Sequence, residues 1–405
     1  MVAVACERGG GGGGESAVAR NPGIRNDTIF LGALVPQSDA VALVGKPILA
    51  GVEAYLAQVN ADRGGVAGRY KLHLLAEDVT YANPSTSVQK YNKIRDQVAA
   101  IVPILGTDHV NVTLPLLAED TLLAVPSTMD AEWVREPNLI SVLAPYQIAV
   151  INGIDYWMTS GGGKGKVLCS LVMSTGYGEA AEEGAQFAAR ANGTTVAVSA
   201  KFRPGDQDYV AQITQLKNAR CEGVVLTSLP TETARILGTA AQLQFTPRWI
   251  ATGPSWHAVL GESPIANYAK QTMWVSFDGG EWGDTTQAGM RDVLRAVANH
   301  APAQKPDLYF TAGYIFAHSA VAVLEEAARQ GDLSRTGIAK ALTTLGVVSH
   351  GGLTGDYRYG PIETREPPRV TSILAIDPSK PGGFTLVKRD HASESARSFS
   401  LEKRR

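Results

Sequence analysis

From Thr28 onward, short apolar runs alternate with longer amphipathic ones. TIFLGALVP predicts a strand and GKPILAGVEAYLAQVNA a helix, ended by the turn DRGGVAG. YKLHLLAED predicts a strand, NPSTSVQKYNKIRDQ a helix, VAAIVPILG a strand, NVTLPLLAED a helix and TLLAVPST a strand. The alternation then restarts. GKVLCSLVM, TTVAVSAKF, EGVVLTS, RWIATG and MWVSF predict strands, with YGEAAEEGAQFAARAN, DYVAQITQLKNA and TETARILGTAAQLQF as helices between them. Buried β-branched strands alternating with helices imply a parallel sheet covered on both faces. The fold class is therefore α/β, with two doubly wound sheets and a cleft between them. AGYIFAHSAVAVLEEAARQG and SRTGIAKALTTLG predict further helices. GGLTGDYRYGP and PRVTSILAID predict a terminal hairpin, and HASESARSFSLEKRR a polar, disordered tail.

Length and charge narrow the function. The chain has 405 residues and a formal net charge of -2. That argues against a nucleic-acid partner, which needs a basic face. No apolar run approaches the roughly 20 residues that span a bilayer. Cys6 is followed by Glu7, Arg8 and then the run GGGGGG. A glycine run behaves as a flexible tether. Cys169 lies in KVLCSLV and reads first as a buried, inert thiol; Cys221 opens CEGVVLTS, and the two could join if these strands are neighbours.

Ligands of doubly wound sheets sit beyond the carboxyl ends of the strands. The loops there, VPQSDA, LGTDHVN, VPSTMD, MSTGYG, TSLPTE, TGPSW and SFDGG, hold no nucleophile elbow, HExxH or phosphate loop. Asp108-His109 reads as a solvated turn. What the loops do carry is hydroxyls, amides and aromatics: Gln37, Ser38, Thr107, Asn111, Ser127, Thr128, Tyr177, Ser228, Ser255 and Trp256. Such groups suit reversible recognition of a small polar molecule, although Ser38, Ser127 and Thr231 could each do no more than cap a helix.

LGALVPQSDAVALVG, followed by GVEAYLAQVNADRGGVAGRYKLHLLAEDVTYANPSTSV, resembles the opening of the leucine/isoleucine/valine-binding solute receptors of ABC importers. YGEAAEEGAQFA, FRPGDQDYVAQITQLKNARCEGVVLTS and GGLTGDYRYGP are similar to later motifs of that family, in order, over roughly Thr28 to Lys388. The resemblance implies a type I periplasmic-binding fold with three hinge crossings, no cofactor, and a monomer that delivers solute to a membrane permease. It divides the chain into a signal remnant and tether (1–27), lobe 1 (28–145 and 279–348), lobe 2 (146–278 and 349–390) and the tail (391–405). It also makes Cys6, after Ala3, Val4 and Ala5, the expected lipid anchor at the membrane surface.

The family holds an α-amino acid's carboxylate on hydroxyls of lobe 1 and its ammonium on an acid of lobe 2. Here Val110 falls where the first serine is expected, with Asn111 beside it, while Thr128 is kept. Pro254 and Ser255 fall where the acid is expected, and the lobe 2 aromatic falls near Leu229 or Pro230. Phe277 and Asp278, after MWVSF, join the expected site, with Asp278 favoured over Glu232 as a substitute acid. The ligand classes implied are amino acid-like molecules, amides, carboxylates and aromatic acids, with Tyr177 and Trp256 as walls. A ligand sensor of the same fold and, further off, an enzyme on this scaffold are the competing readings.

Overall fold

The computed structural model describes residues 21–402. Cys6 and its glycine tether lie outside the described residues. The chain opens with β1 (Ile24–Arg25), β2 (Thr28–Val35), α1 (Ala42–Asp62), β3 (Lys71–Asp78), α2 (Ser85–Ile94), β4 (Ala100–Leu105), α3 (Thr107–Glu119) and β5 (Leu123–Ser127). β2 pairs in parallel with β3 and β4, and β4 with β5, while the short β1 lies antiparallel on β2. β4, AIVPIL, is buried at every position, as a strand covered on both faces must be.

The second unit begins with α4 (Tyr146–Thr159). It continues through β6 (Leu168–Met173), α5 (Gly176–Ala191), β7 (Val196–Phe202), α6 (Val210–Asn218), β8 (Gly223–Thr227), α7 (Pro230–Gln242), β9 (Arg248–Thr252), α8 (Ala266–Thr272) and β10 (Met273–Phe277). Then follow α9 (Ala288–His300), α10 (Leu308–Arg329), α11 (Arg335–Thr344), β11 (Val347–Val348), β12 (Tyr357–Arg358), β13 (Thr371–Ile376), β14 (Phe384–His391) and α12 (Glu394–Ser398). The second sheet runs β14-β13-β10-β9-β8-β6-β7, parallel from β10 to β7 and antiparallel at the β13 and β14 edge. α10 packs along α1 and against β4, so the chain returns to the first lobe before β13 rejoins the second. The lobes are thus joined by three crossings, near Ala144, near Asp278 and between β12 and β13.

Several sequence expectations change. PRVTSILAID pairs with FTLVKRDH and with β10, and not with GGLTGDYRYGP, whose tyrosine strand pairs with Val347–Val348. Residues 349–366, expected in lobe 2, are bound to lobe 1: Gly289 N donates to Gly351 O at 2.9 Å, and Arg365 donates to Glu136 O at 2.9 Å. The tail expected to be disordered contains α12. Ala396, Phe399 and Leu401 are buried against α4, and Arg369 donates to Phe399 O at 2.6 Å. Its polar composition concealed three apolar anchors spaced to reach one groove. The helix α10, with 22 residues, is long and apolar enough to cross a membrane by length and composition, contrary to the sequence expectation; most of it is buried in lobe 1, which accounts for its composition. Cys169 and Cys221 form a disulfide with Cα atoms 5.8 Å apart, bringing the start of β8 against its neighbour β6.

Candidate functional site

Strand ends of both sheets converge on a narrow cleft. From lobe 1 come Leu105, Gly106 and Thr107 after β4, Ser127, Thr128 and Met129 at the end of β5, and Tyr81 after β3. From lobe 2 come Tyr177, Leu229, Pro254 and Phe277. Tyr146 opens α4, and α10 lays Leu308, Tyr309, Ala312 and Phe316 along one wall, beside Val44 and Ile48 of α1. No Lys, Arg, His, Asp or Glu lines this cleft among the described residues.

Local structure explains the placement. Gly106 has φ +106°, and a Cβ there would stand 2.9 Å from the His109 ring and 3.1 Å from the Tyr81 ring. That turn starts α3 at Thr107, directly at the strand end. The Thr107 and Thr128 hydroxyls bond each other at 2.7 Å. Tyr177 Oη bonds Thr252 Oγ1 at 2.5 Å, and its ring lies 4.6 Å from that of Tyr146. Asp307 caps α10, accepting from Tyr309 N at 2.6 Å, which fixes Tyr309 in the cleft. Desolvation pushes the Tyr177 hydroxyl up to about 12 and raises those of Tyr81, Tyr146 and Tyr309 as well. All four therefore stay neutral hydrogen-bonding groups in physiological buffers.

The lobes meet around the cleft. Gly176 N at the start of α5 donates to Asp108 Oδ1 at 3.1 Å, Tyr309 Oη donates to Pro254 O at 2.8 Å, and His257 Nε2 lies 2.9 Å from Asp307 Oδ2. A Cβ on Gly176 would stand 2.4 Å from Thr107 Cγ2, so only glycine permits this approach.

Of the residues singled out from sequence, Thr107, Ser127, Thr128, Tyr177, Leu229, Pro254 and Phe277 line the cleft. The others do not. Asn111 is exposed, because α3 starts at Thr107 and places position 111 one turn further along the axis, beyond the cleft. Trp256 is fully buried against Phe384 within lobe 2, so it is core and not a wall of the cleft. Ser228 bonds Thr233 Oγ1 at 2.7 Å and Ser255 bonds Ser228 N at 3.3 Å, both inside lobe 2. Gln37 N donates to Asp78 Oδ1 at 2.7 Å at the head of β2, and Ser38 is exposed beside it. Glu232 accepts from Gly205 N at 3.1 Å, away from the cleft. His109 is a buried structural group, bonded to Ser87 Oγ at 2.6 Å and Tyr81 O at 2.9 Å; burial lowers its pKa.

Asp278 lies at the hinge, bordering a neighbouring cavity and not the cleft itself. Its Oδ1 accepts from Thr354 Oγ1 at 2.5 Å and from Ala144 N at 3.2 Å. Desolvation pushes its pKa up to about 7, against the lowering effect of those bonds.

Tyr81, Tyr146 and Tyr309 were missed in the sequence. Tyr81 follows the carboxyl end of β3 in VTYANP, a loop the strand-end rule covers. Tyr146 opens a helix that is buried all round and so carries no amphipathic signal. Tyr309 follows an aspartate N-cap, a start signal readable in PDLYF.

A family model described as periplasmic binding protein matches residues 28–369. Among solved structures, the chain is similar to a fatty acid ABC transporter substrate-binding protein from Thermomonospora curvata. The TM-score is 0.87 at 24% identity, covering 95% of this chain and 97% of that one. It is also similar to a branched chain amino acid ABC transporter protein from Thermus thermophilus with bound valine, with a TM-score of 0.79 at 18% identity, covering 93% and 98%. A leucine binding protein from Thermotoga maritima gives a TM-score of 0.75 at 16% identity, covering 90% and 99%. No curated protein matches.

Proposed function

The chain belongs to the periplasmic binding protein family, and from that premise we propose that it is the extracytoplasmic solute-binding component of an ABC importer, non-catalytic, whose ligand is a mainly apolar carboxylate. One observation carries this reading: an interlobe cleft lined by hydroxyls and apolar side chains, with no charged side chain among the described residues. A carboxylate can be held without a cation where hydroxyls and free helix N-terminal amides converge. Thr107 and Tyr177 stand in first helical turns facing this space, whereas the amides of Tyr146 and Tyr309 are already bonded to Met129 O and to Asp307. An ammonium would be stranded there, because its desolvation meets no acid. The Thermomonospora protein is described for fatty acids and the Thermus protein holds valine. Both ligands are carboxylates, and only valine needs a partner for an ammonium.

Thr107 and Thr128 are the proposed head-group contacts, with Tyr81, Tyr146, Tyr177 and Tyr309 as walls. A thermal-shift screen over amino acids, amides, aromatic acids and aliphatic carboxylates tests the reading. A true ligand in large excess should add a few kcal/mol of stability. A responding acid should bind as well as, or better than, its α-amino counterpart. If removing the amino group costs more than about 3 kcal/mol, the reading fails. Cys6 is the proposed lipid anchor. Cys6→Ser in the precursor should release the protein from membranes, and continued membrane fractionation would refute the anchor.

A further inference from the structure

Phe277 stands between two cavities. On one side is the tyrosine-lined cleft; on the other, at the hinge, is a second space. Leu308 and Ala312 of α10 border both, so the two spaces adjoin along one helix face. Much of the second cavity is apolar, walled by Leu143, Met290, Ile315 and Leu353. Set into it is Asp278, only 8% exposed. Thr354 and Ala144 both bond its Oδ1, while Oδ2 is buried without a hydrogen-bond partner. Arg389, a cation on the same wall, is drawn to Asp284 at 2.5 Å instead. A buried carboxylate oxygen lacking a donor is costly, and a guest's donor would remove that cost.

We propose that the hinge cavity is a second subsite of the ligand site, receiving the far end of an elongated apolar carboxylate that carries a neutral hydrogen-bond donor for Asp278 Oδ2. This rests on the carboxylate reading above. The head group stays at the Thr107 end, the chain passes Phe277, and the distal hydroxyl or amide N–H meets Asp278. Because Asp278 also ties the crossing at Ala144 to the loop at Thr354, filling this subsite would brace the hinge in the closed geometry.

Calorimetric titration of purified protein tests this with saturated monocarboxylates from butanoate to dodecanoate and with ω-hydroxy and ω-methoxy acids of matched length. Work at about pH 9 keeps Asp278 ionised. Affinity should rise with chain length in the wild type and level off earlier in Thr311→Phe, since Thr311 borders only the hinge cavity. The wild type should prefer the ω-hydroxy over the ω-methoxy acid by about tenfold. Asp278→Asn, which presents a donor where Oδ2 stood, should lose or invert that preference. An unchanged preference in Asp278→Asn overturns the proposal, and this comparison stands even if Thr311→Phe fails to fold. Short acids that bind without any gain from length also overturn it, while leaving the carboxylate reading intact. If no acid of any length binds, the carboxylate reading fails and this inference with it.

Discussion

Helices α1 and α10 line two cavities, and the two could hardly differ more. Their N-terminal turns give Val44, Ile48, Tyr309 and Ala312 to the cleft. Other faces give Tyr55, Gln58, Asp62, Arg63, Tyr314 and His318 to a larger polar pocket on lobe 1. In the polar cavity the charges answer one another. Arg295 lies 3.2 Å from Asp292 and 3.7 Å from Asp62. With its amide oriented to satisfy both ends, Gln58 accepts from Arg295 at 2.8 Å and donates to Tyr314 at 2.8 Å. His318 and His350 bond each other through Nδ1 at 2.8 Å. The larger space is thus a satisfied structural network. The cleft, with neutral hydroxyls between two lobes, is the one we propose receives a guest, although it is the smaller of the two.

The largest expected effect separates the two by pH. Burial lowers His318 to about 4 and His350 to about 3, from an ordinary 6.5. Both folded values are depressed, so below 6.5 the unfolded chain takes up protons that the folded chain refuses. This contribution to stability is complete above pH 6.5 and is lost as pH falls toward about 4, by several kcal/mol for the pair. Urea denaturation between pH 7 and 4.5 should show the loss, and His350→Asn should flatten it. Asp278 acts with the opposite sign. Its folded value is raised from 3.8 to about 7, so its contribution falls as pH climbs through that window, and Asp278→Asn should gain on the wild type toward pH 8. The cleft tyrosines titrate far above this range, so affinity for a fully ionised carboxylate should stay flat where the histidine pair matters. A parallel fall in affinity and stability would erase the distinction between the cavities.

Closure is the next largest. Gly176→Val places a side chain where even a Cβ meets Thr107 at 2.4 Å. The lobes should fold as before and fail to close, with ligand affinity down about 100-fold and apo stability within about 1 kcal/mol. Affinity unchanged within about twofold would mean that this approach is not needed for binding.

The contrast also shows what the sequence could reveal. Apolar periodicity exposed both sheets, because AIVPIL or MWVSF must be strands in a buried sheet whatever the ligand. The strand-end rule found Thr107, Thr128, Tyr177 and Phe277, because loops leaving parallel strands have one place to go. It failed where a helix start was misplaced. With α3 beginning at Thr107 rather than Asn111, Thr107 holds the first turn at the strand end, and Asn111 stands in solvent about one turn, roughly 6 Å, further along the axis. Trp256 shows a second limit: an aromatic in a cleft loop reads as a wall, yet its partner Phe384 comes from a strand far along the chain. The disulfide needed the pairing of β6 with β8, which no spacing encodes.

Head-group chemistry gives a smaller effect. Thr107→Val and Thr128→Val each remove one hydroxyl of the 2.7 Å pair while keeping shape. Each should cost about 1–2 kcal/mol in carboxylate affinity, and the double variant less than the sum, because the surviving hydroxyl has already lost its partner. Titration of a responding acid gives the cycle directly. Equal losses for a carboxylate and for its uncharged amide would place the charge elsewhere in the cleft.

The smallest expected effect tests the correction at α3. Asn111 and Thr107 lie four residues apart in one helix, so fold-level argument alone would group them at one site. The structure separates them: Thr107 is buried at the cleft, and Asn111 is exposed one turn further along the helix. An exposed asparagine contributes little to stability and nothing to a ligand it cannot reach. Asn111→Ala should leave affinity within about twofold and should slightly raise stability, because alanine is the better helix former by several tenths of a kcal/mol. Titration and thermal denaturation of the single variant suffice. A tenfold loss of affinity would mean that the ligand reaches past the first turn of α3 and would extend the head-group site from Thr107 along that helix.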